Sequence, residues 1–94
     1  MEYKGKVDLT LRCIDMVPRQ LTYIRNAEVI IAPRDRHTVI SVQLSESGLI
    51  VSEIDVAIAD IVYRFMVDST TKHEHQYIFH CLPIAEETGP TTIH

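Results

Sequence analysis

The chain of 94 residues has three glycines, two cysteines and no tryptophan. Three glycines are too few for a loop that cradles phosphate groups with its backbone N–H groups. Two cysteines cannot build the multiple-disulfide framework of small secreted domains. No apolar run approaches the roughly 20 residues that a membrane-spanning helix needs, and the stretch Met1–Lys6 lacks the apolar centre of a signal peptide. These absences predict a cytoplasmic protein without a membrane span.

Strong positive charge is also absent, since the net charge at pH 7 is −4. Nucleic-acid binding depends on Lys and Arg side chains that neutralise phosphates, so the charge argues against a nucleic-acid partner. The hydrophobic fraction of 46% and the charged fraction of 23% are typical of a globular domain. We predict a single domain over residues 1–85 and an exposed, polar C-terminal tail over residues 86–94.

The clearest secondary-structure signal is a period of two near the N-terminus, where Val7, Leu9, Leu11 and Cys13 alternate with polar residues. That period is typical of a strand with one buried face. Further runs of β-branched and aromatic residues predict the strands Val39–Leu44, Leu49–Ile54, Ile61–Val67 and Tyr77–Leu82. The turn Ser45–Gly48, with Gly48 at a position that favours a positive φ, predicts a hairpin between the first two of these runs. A second polar turn is predicted over Asp68–Lys72.

The segment from Met16 to Ile31 is compatible with two structures. Its apolar residues are spaced by four, three, three and four, which places them on one face of a helix: Val17, Leu21, Ile24, Ala27 and Ile31. Asp15 is a suitable N-cap, and Pro18 is tolerated in a first helical turn. The alternative is a hairpin in which Gln20–Ile24 pairs with Ala27–Ala32. The helix gives the predicted fold class, an α+β fold made mainly of an antiparallel β-meander with one principal helix.

Candidate chemical groups are few. The metal-capable side chains cluster near the last strand, at His73, His75, His80 and Cys81. Adjacent residues of a strand point to opposite faces, so His80 and Cys81 cannot serve one site, and zinc-binding spacings are absent. We predict no metal, no cofactor and no catalytic residue, because no cysteine or serine has a base and an oxyanion hole beside it. Cys13 and Cys81 are predicted to be buried, reduced thiols.

Arginine is concentrated in the first 36 residues. Its planar guanidinium group binds carboxylates and phosphates through two parallel hydrogen bonds. The candidate anion-binding residues are therefore Arg19, Arg25, Arg34 and Arg36. The alternative is that these side chains form a solvated surface.

The strongest functional prediction concerns the strand Ile61–Val67. If it lies at a sheet edge, its backbone groups can pair with an added strand from a partner, and its side chains supply the contacts. The predicted partner-binding residues are Ile61, Tyr63, Arg64, Phe65 and Val67. The predicted function is a non-enzymatic module that binds a protein or peptide by β-strand addition. The alternative is a self-associating structural or accessory protein, such as a small viral-type factor, in which the same edge pairs with a second copy.

Several segments resemble the phosphotyrosine-binding (PTB) domains of intracellular adaptors, which belong to the pleckstrin-homology-like superfold. Tyr3–Leu9 is similar to the opening strand of that family, Val42–Val51 to its hairpin, Ile61–Asp68 to its ligand-pairing strand and Tyr77–Leu82 to its late strand. The resemblance implies peptide binding along Ile61–Asp68. The chain is shorter than a typical member, lacks one strand between Asp68 and Tyr77, and lacks the closing C-terminal helix. An uncovered sheet face would then favour a homo-oligomer.

Overall fold

The fold is known from a computed structural model that describes residues 2–14, 17–46 and 48–82, together with the backbone of residues 86–87. These residues form seven strands and no helix. In chain order the strands are β1 (Tyr3–Cys13), β2 (Gln20–Arg34), β3 (His37–Gln43), β4 (Glu53–Ile58), β5 (Ile61–His73), β6 (Gln76–Leu82) and β7 (Glu86–Glu87).

Six strands form a closed antiparallel barrel. Their order is β4-β1-β2-β3-β6-β5, and β5 pairs back onto β4 to close the ring. The short β7 pairs with β5 outside the ring. The antiparallel sheet is confirmed, but the predicted α+β class with a principal helix is wrong, because the described part of the chain is all-β.

The predicted helix is replaced by the long strand β2. β2 runs without a break through Arg25 and Asn26, so the alternative hairpin is also wrong. Two residues of β2 there oppose the single residue Asp8 of β1, which is a β-bulge. Asn26 has a φ of 55°, and its N–H donates a 3.1 Å hydrogen bond to Asp8 Oδ1.

The bulge explains why the sequence imitates a helix. The inward-facing residues of β2 are Thr22, Ile24, Ala27, Val29 and Ile31, with one spacing of three where the extra residue is inserted. The remaining members of the predicted helical face are not buried. Leu21 is 51% exposed and Val17 is 99% exposed.

The predicted hairpin between Val39–Leu44 and Leu49–Ile54 does not form. Gly48 does have a positive φ, 82°, as predicted. However, β3 pairs with β2 and β6, whereas β4 pairs with β1 and β5. The segment between β3 and β4 crosses one end of the barrel, and Leu49–Ser52 belongs to no strand.

The remaining strands agree with the predictions in position but differ in length. β1 and β6 contain the predicted strands Val7–Cys13 and Tyr77–Leu82. The polar turn predicted over Asp68–Lys72 is wrong, because β5 continues to His73 and pairs with β6 along this stretch. The chain turns instead at Glu74 and His75. The predicted tail lies outside the described residues, except for the backbone of Glu86–Glu87 in β7.

The barrel interior is filled by alternate residues of all six strands. Its largest fully buried side chains include Tyr77, Phe79, Leu9, Ile31, Ile40 and Ile54. Cys13 and Cys81 are buried and unbridged, as predicted. A closed interior of this size explains how a short chain forms a core without a covering helix.

None of the described residues belongs to a helix long and apolar enough to cross a bilayer. The cytoplasmic location stays a prediction.

Candidate functional site

The side chains of the predicted binding strand lie on both faces of β5. Phe65 is buried, and Tyr63 and Val67 pack against the core. Ile61 lies on the same inward face by alternation and is partly buried. The outward face carries Arg64, which lies between two exposed apolar residues, Val62 and Met66. Three of the five predicted partner-binding residues, Tyr63, Phe65 and Val67, therefore contribute to the core.

The backbone of β5 is paired on both sides for most of its length. β4 pairs with Ile61–Met66 along one edge, and β6 pairs with Met66–His73 along the other. A short stretch remains between Ile61 and Phe65 on the side of β6. Two of its residues, Val62 and Tyr63, pair with the chain's own β7. Little of this edge is open to an added strand.

Arg64 belongs to an ion-pair network on the outer surface of β1, β4 and β5. Asp55 accepts hydrogen bonds of 2.8 and 2.9 Å from Arg12 and of 2.9 and 3.2 Å from Arg64. Arg12 also donates a 3.0 Å hydrogen bond to Glu53. Partial burial acts to raise the pKa of Asp55, but the hydrogen bonds from Arg12 and Arg64 outweigh it and hold the pKa below its ordinary value. The network joins three strands and assigns Arg64 a structural contact.

An unpaired strand edge is present on β2, where the sequence did not predict one. One side of β2 pairs with β1 from Gln20 to Ile31. The other side pairs with β3 only from Val29 to Arg34. Along Gln20–Glu28, the side of β2 that faces away from β1 has no strand partner among the described residues. We call this stretch the β2 edge.

A cavity of about 510 Å³ lies beside the β2 edge, and we call it the β2 groove. One wall is β2 itself, and the other is the segment that follows β3. Its apolar lining includes Ile24, Leu44 and Leu49, and its charged lining consists of Arg25, Glu28 and Glu46. The volume lies within the range of roughly 300–1,000 Å³ that is typical of ligand pockets.

The second wall of the β2 groove is fixed by a buried tyrosine. The hydroxyl of Tyr77, on β6, donates a 3.0 Å hydrogen bond to the carbonyl oxygen of Glu46. The same hydroxyl accepts a 3.3 Å hydrogen bond from the N–H of Leu49. Leu44 N–H donates to the carbonyl oxygen of His75. These hydrogen bonds therefore fix the second wall of the groove at this end of the barrel.

Two apolar side chains are exposed on the outer face of the β2 edge. Tyr23 is 70% exposed and Leu21 is 51% exposed. They lie opposite Thr10 and Arg12 of β1. A single signal in the sequence could have identified this part of β2 as a strand: Leu21 and Tyr23 alternate with the inward residues Thr22 and Ile24. The helical spacing of the longer segment hid that alternation.

The four arginines predicted to bind anions are not brought together. All four are exposed, and they lie at separate places along and beside β2. Arg25 lines the β2 groove. Arg36 lines a different cavity of about 300 Å³ with Asp68, His37 and His80, whose imidazole centroids are 6.0 Å apart.

The predicted cluster of metal-capable residues is dispersed as well. His73 and His75 are exposed around the β5–β6 turn, whereas His80 lies on the outer face and contacts Thr71 Oγ1 at 3.3 Å. Cys81 points into the core, where burial raises the pKa of its thiol to about 12. Within the described ranges, no three His, Cys, Asp or Glu side chains are placed to hold a metal ion.

The chain matches no protein-family model, no curated protein and no solved structure. The resemblance to PTB domains stays a prediction.

Proposed function

We propose that this protein is a non-catalytic interaction module that binds an extended polypeptide segment by strand addition at the β2 edge. One observation carries the proposal: a nine-residue stretch of strand, Gln20–Glu28, has no partner on one side among the described residues and borders a groove. The mode of binding is the one predicted from the sequence. Its place moves from β5 to β2, because β5 is paired along most of both edges.

The backbone supplies the attraction. Along an unpaired edge, about every second residue directs its N–H and C=O groups away from the sheet, where an added strand can bond to them. Natural edges are usually protected by charges, by proline or by a bulge. Here the bulge at Arg25 and Asn26 interrupts the edge, which leaves Gln20–Ile24 as the regular, uncharged stretch for pairing.

The β2 groove supplies the selectivity. Alternate side chains of an added strand would point towards the barrel, where Ile24, Leu44 and Leu49 provide apolar contacts. The remaining side chains would lie beside Leu21 and Tyr23 on the outer face. The fitting ligand is therefore an extended segment with apolar residues at alternate positions.

A non-catalytic role is consistent with the chemistry of the described side chains. Thiolate, not thiol, is the nucleophilic form of cysteine. The raised pKa of Cys81 keeps its thiol protonated at neutral pH, and the core excludes it from a substrate.

The test is selection of random peptides from a displayed library, followed by mapping of each selected peptide through backbone amide chemical shifts. We expect enriched peptides with alternating apolar residues, and shifts centred on Gln20–Ile24 and Leu49. In an added strand, every second amide faces β2. N-methylation of those amides should abolish binding, whereas N-methylation of the amides that face away should have little effect. Shifts confined to β5 or to other surfaces would overturn the proposal, as would failure to enrich any peptide.

A matched pair of variants adds a test of the groove. Leu49 lines the β2 groove, whereas its neighbour Ile50 is 66% exposed and does not. Leu49→Arg should weaken binding of the selected peptides by about tenfold or more, because it places a charge among apolar contacts. The Ile50→Arg variant should bind the selected peptides with the same affinity as the unaltered protein. Equal effects of the two substitutions would contradict the groove as the binding site.

A further inference from the structure

We propose that the segment that occupies the β2 edge is the β2 edge of a second copy of this chain, which forms a two-fold symmetric dimer centred on Thr22. The inference rests on the proposed function, since it uses the same edge and the same mode of binding. It adds the identity of the partner and the register of the two strands.

The register follows from symmetry and from the alternation of faces. In an antiparallel pair, residues opposite each other point to the same face of the sheet. A two-fold axis through Thr22 places Leu21 opposite the partner's Tyr23, and both face outwards. The symmetric contact places Tyr23 opposite the partner's Leu21. An isologous pairing of this kind closes at two copies.

The exposed apolar side chains of β2 support this register. Leu21 and Tyr23 are among the exposed large apolar side chains of the described residues, and both lie within Gln20–Ile24. Directly opposed side chains on paired strands lie about 4.5–5.5 Å apart, so each Leu21 would cover the ring of a partner's Tyr23. The dimer therefore buries four exposed apolar side chains in one cluster.

The absence of charge within Gln20–Ile24 supports self-association, and the flanking arginines make it depend on salt. The five residues Gln20–Ile24 carry no formal charge, although the chain as a whole has a net charge of −4. The same register brings Arg19 opposite the partner's Arg25, just outside the uncharged stretch. Like charges at exposed positions repel each other, and salt screens that repulsion. The dimer should therefore be tighter at high salt than at low salt.

The primary experiment is sedimentation equilibrium over a wide range of protein concentrations, at low and at high salt. We expect a monomer–dimer equilibrium that shifts towards dimer as salt is added. Tyr23→Glu should weaken the dimer by about tenfold or more, since each substitution acts twice in a symmetric interface. Tyr23→Ser is the second variant if the glutamate proves to disturb folding, and thermal unfolding measured by circular dichroism checks both.

Ile30→Glu is the matched control. Ile30 lies on the same outer face of the same strand and is 49% exposed. It pairs with Lys4 of β1 and Ser41 of β3, so no edge is open beside it. We expect the Ile30→Glu variant to dimerise with the same affinity as the unaltered protein. A dimer that is insensitive to both Tyr23 variants, or that is lost equally with Ile30→Glu, would overturn the inference.

The register has its own test. Thr22→Cys places a thiol opposite its own symmetry mate, so oxidation by glutathione disulfide should give a covalent dimer. Gln20→Cys lies opposite the partner's Ile24 and should give little covalent dimer under the same conditions. The native Cys13 and Cys81 are buried and will not compete. Equal cross-linking of the two variants would overturn the register.

Two results separate this inference from the proposed function. A protein that stays monomeric at every concentration, yet binds library peptides along Gln20–Ile24, would overturn the self-association and leave the interaction module standing. A monomer that binds no peptide at the β2 edge would overturn both.

Discussion

The hydroxyl of Tyr77 donates a hydrogen bond to the carbonyl oxygen of Glu46, and this contact ties the interior of the barrel to one wall of the β2 groove. The tyrosine ring is fully buried and stacks on Phe79 with centroids 5.6 Å apart. Its hydroxyl reaches a segment that belongs to no strand. The shape of the groove therefore depends on a residue of the core.

Tyr77→Phe should destabilise the protein by about 1 kcal/mol, the typical net value of an intramolecular hydrogen bond. The N–H of Leu49 loses its partner, so its hydrogen exchange should be faster, while the exchange of β1 and β6 should change only with global stability. Tyr23→Phe is the control, since the Tyr23 side chain is largely exposed. Unchanged exchange at Leu49 in Tyr77→Phe would contradict the role assigned to the hydroxyl.

Two leucines should respond very differently to truncation. Leu11 is 2% exposed in the barrel core, whereas Leu21 is 51% exposed on the outer face. Leu11→Ala should cost about 2–5 kcal/mol, because it removes buried apolar contacts and leaves a cavity. Leu21→Ala should cost less than about 1 kcal/mol. Urea unfolding measures both, and a larger cost for Leu21 would favour the helical packing that the sequence suggested.

Removal of the carboxylate at the centre of the ion-pair network should also be costly. Asp55→Asn should destabilise the protein by about 1–3 kcal/mol at neutral pH, because the hydrogen bonds to two guanidinium groups lose their charged acceptor. Asp60→Asn, at an exposed turn position, should change stability by less than about 0.5 kcal/mol. Comparable costs for the two substitutions would show that the network adds little.

The stabilisation that Asp55 provides should depend on pH in a defined direction. The pKa of Asp55 is lower in the folded state than in the unfolded state, where it is ordinary, about 3.9. Its contribution to stability is therefore fully present above about pH 4 and is lost as the pH falls through the lowered pKa. The difference in unfolding free energy between the unaltered protein and Asp55→Asn should shrink only in this acidic range.

The buried thiol of Cys81 predicts a loss of stability at alkaline pH. Its folded-state pKa is raised to about 12, so the unfolded chain loses this proton first, near pH 8.5. The contribution of the neutral thiol is present below that pH and is lost progressively as the pH rises towards the folded-state value. Cys81→Val should show a smaller alkaline decrease in urea midpoint than the unaltered protein. Equal decreases would contradict the burial of the thiol.

The turn between β4 and β5 contains an alanine in an unfavourable conformation. Ala59 has a φ of 57°, in the left-handed region that costs a non-glycine residue about 1–2 kcal/mol. Ala59→Gly removes that cost but loses more chain entropy on folding, so we expect a net gain of about 0.5–1 kcal/mol. Ala57→Gly, in the extended strand β4, should be destabilising. The two thermal unfolding midpoints should therefore move in opposite directions.

Local patterns predicted the strands whose alternation is uninterrupted. β1 buries every second residue from Val7 to Cys13, and β6 does so from Tyr77 to Cys81, so period and composition agree with the structure. β2 was misread because its bulge changes one spacing from two to three, which matches a helix as well as a strand. The end of β5 was misread because Asp68–His73 is exposed on both faces and is a strand only through its pairing with β6.

Local sequence patterns could not predict which strands pair with each other. Nothing near Gly48 indicates that the chain crosses the barrel end before β4, because that path is set by Tyr77 and by the pairing of β4 with β1. The β2 edge was hidden for the same reason. Among the described residues the edge is open because β3 ends at Gln43, one residue past the pair Val29–Val42, and not because of any residue in the edge itself.

The bulge at Arg25 and Asn26 determines which residues in the first half of β2 face the barrel interior. Counting back from the buried Ala27, an unbulged β2 would direct Tyr23 and Leu21 into the barrel and would turn Ile24 and Thr22 outwards. Deletion of Asn26 would instead give a regular strand with the same two faces, because Ile24 would then stand two positions before Ala27. The exposure of Leu21 and Tyr23 thus depends on the bulge that accommodates one extra residue, since the same sequence in a regular strand would bury these side chains.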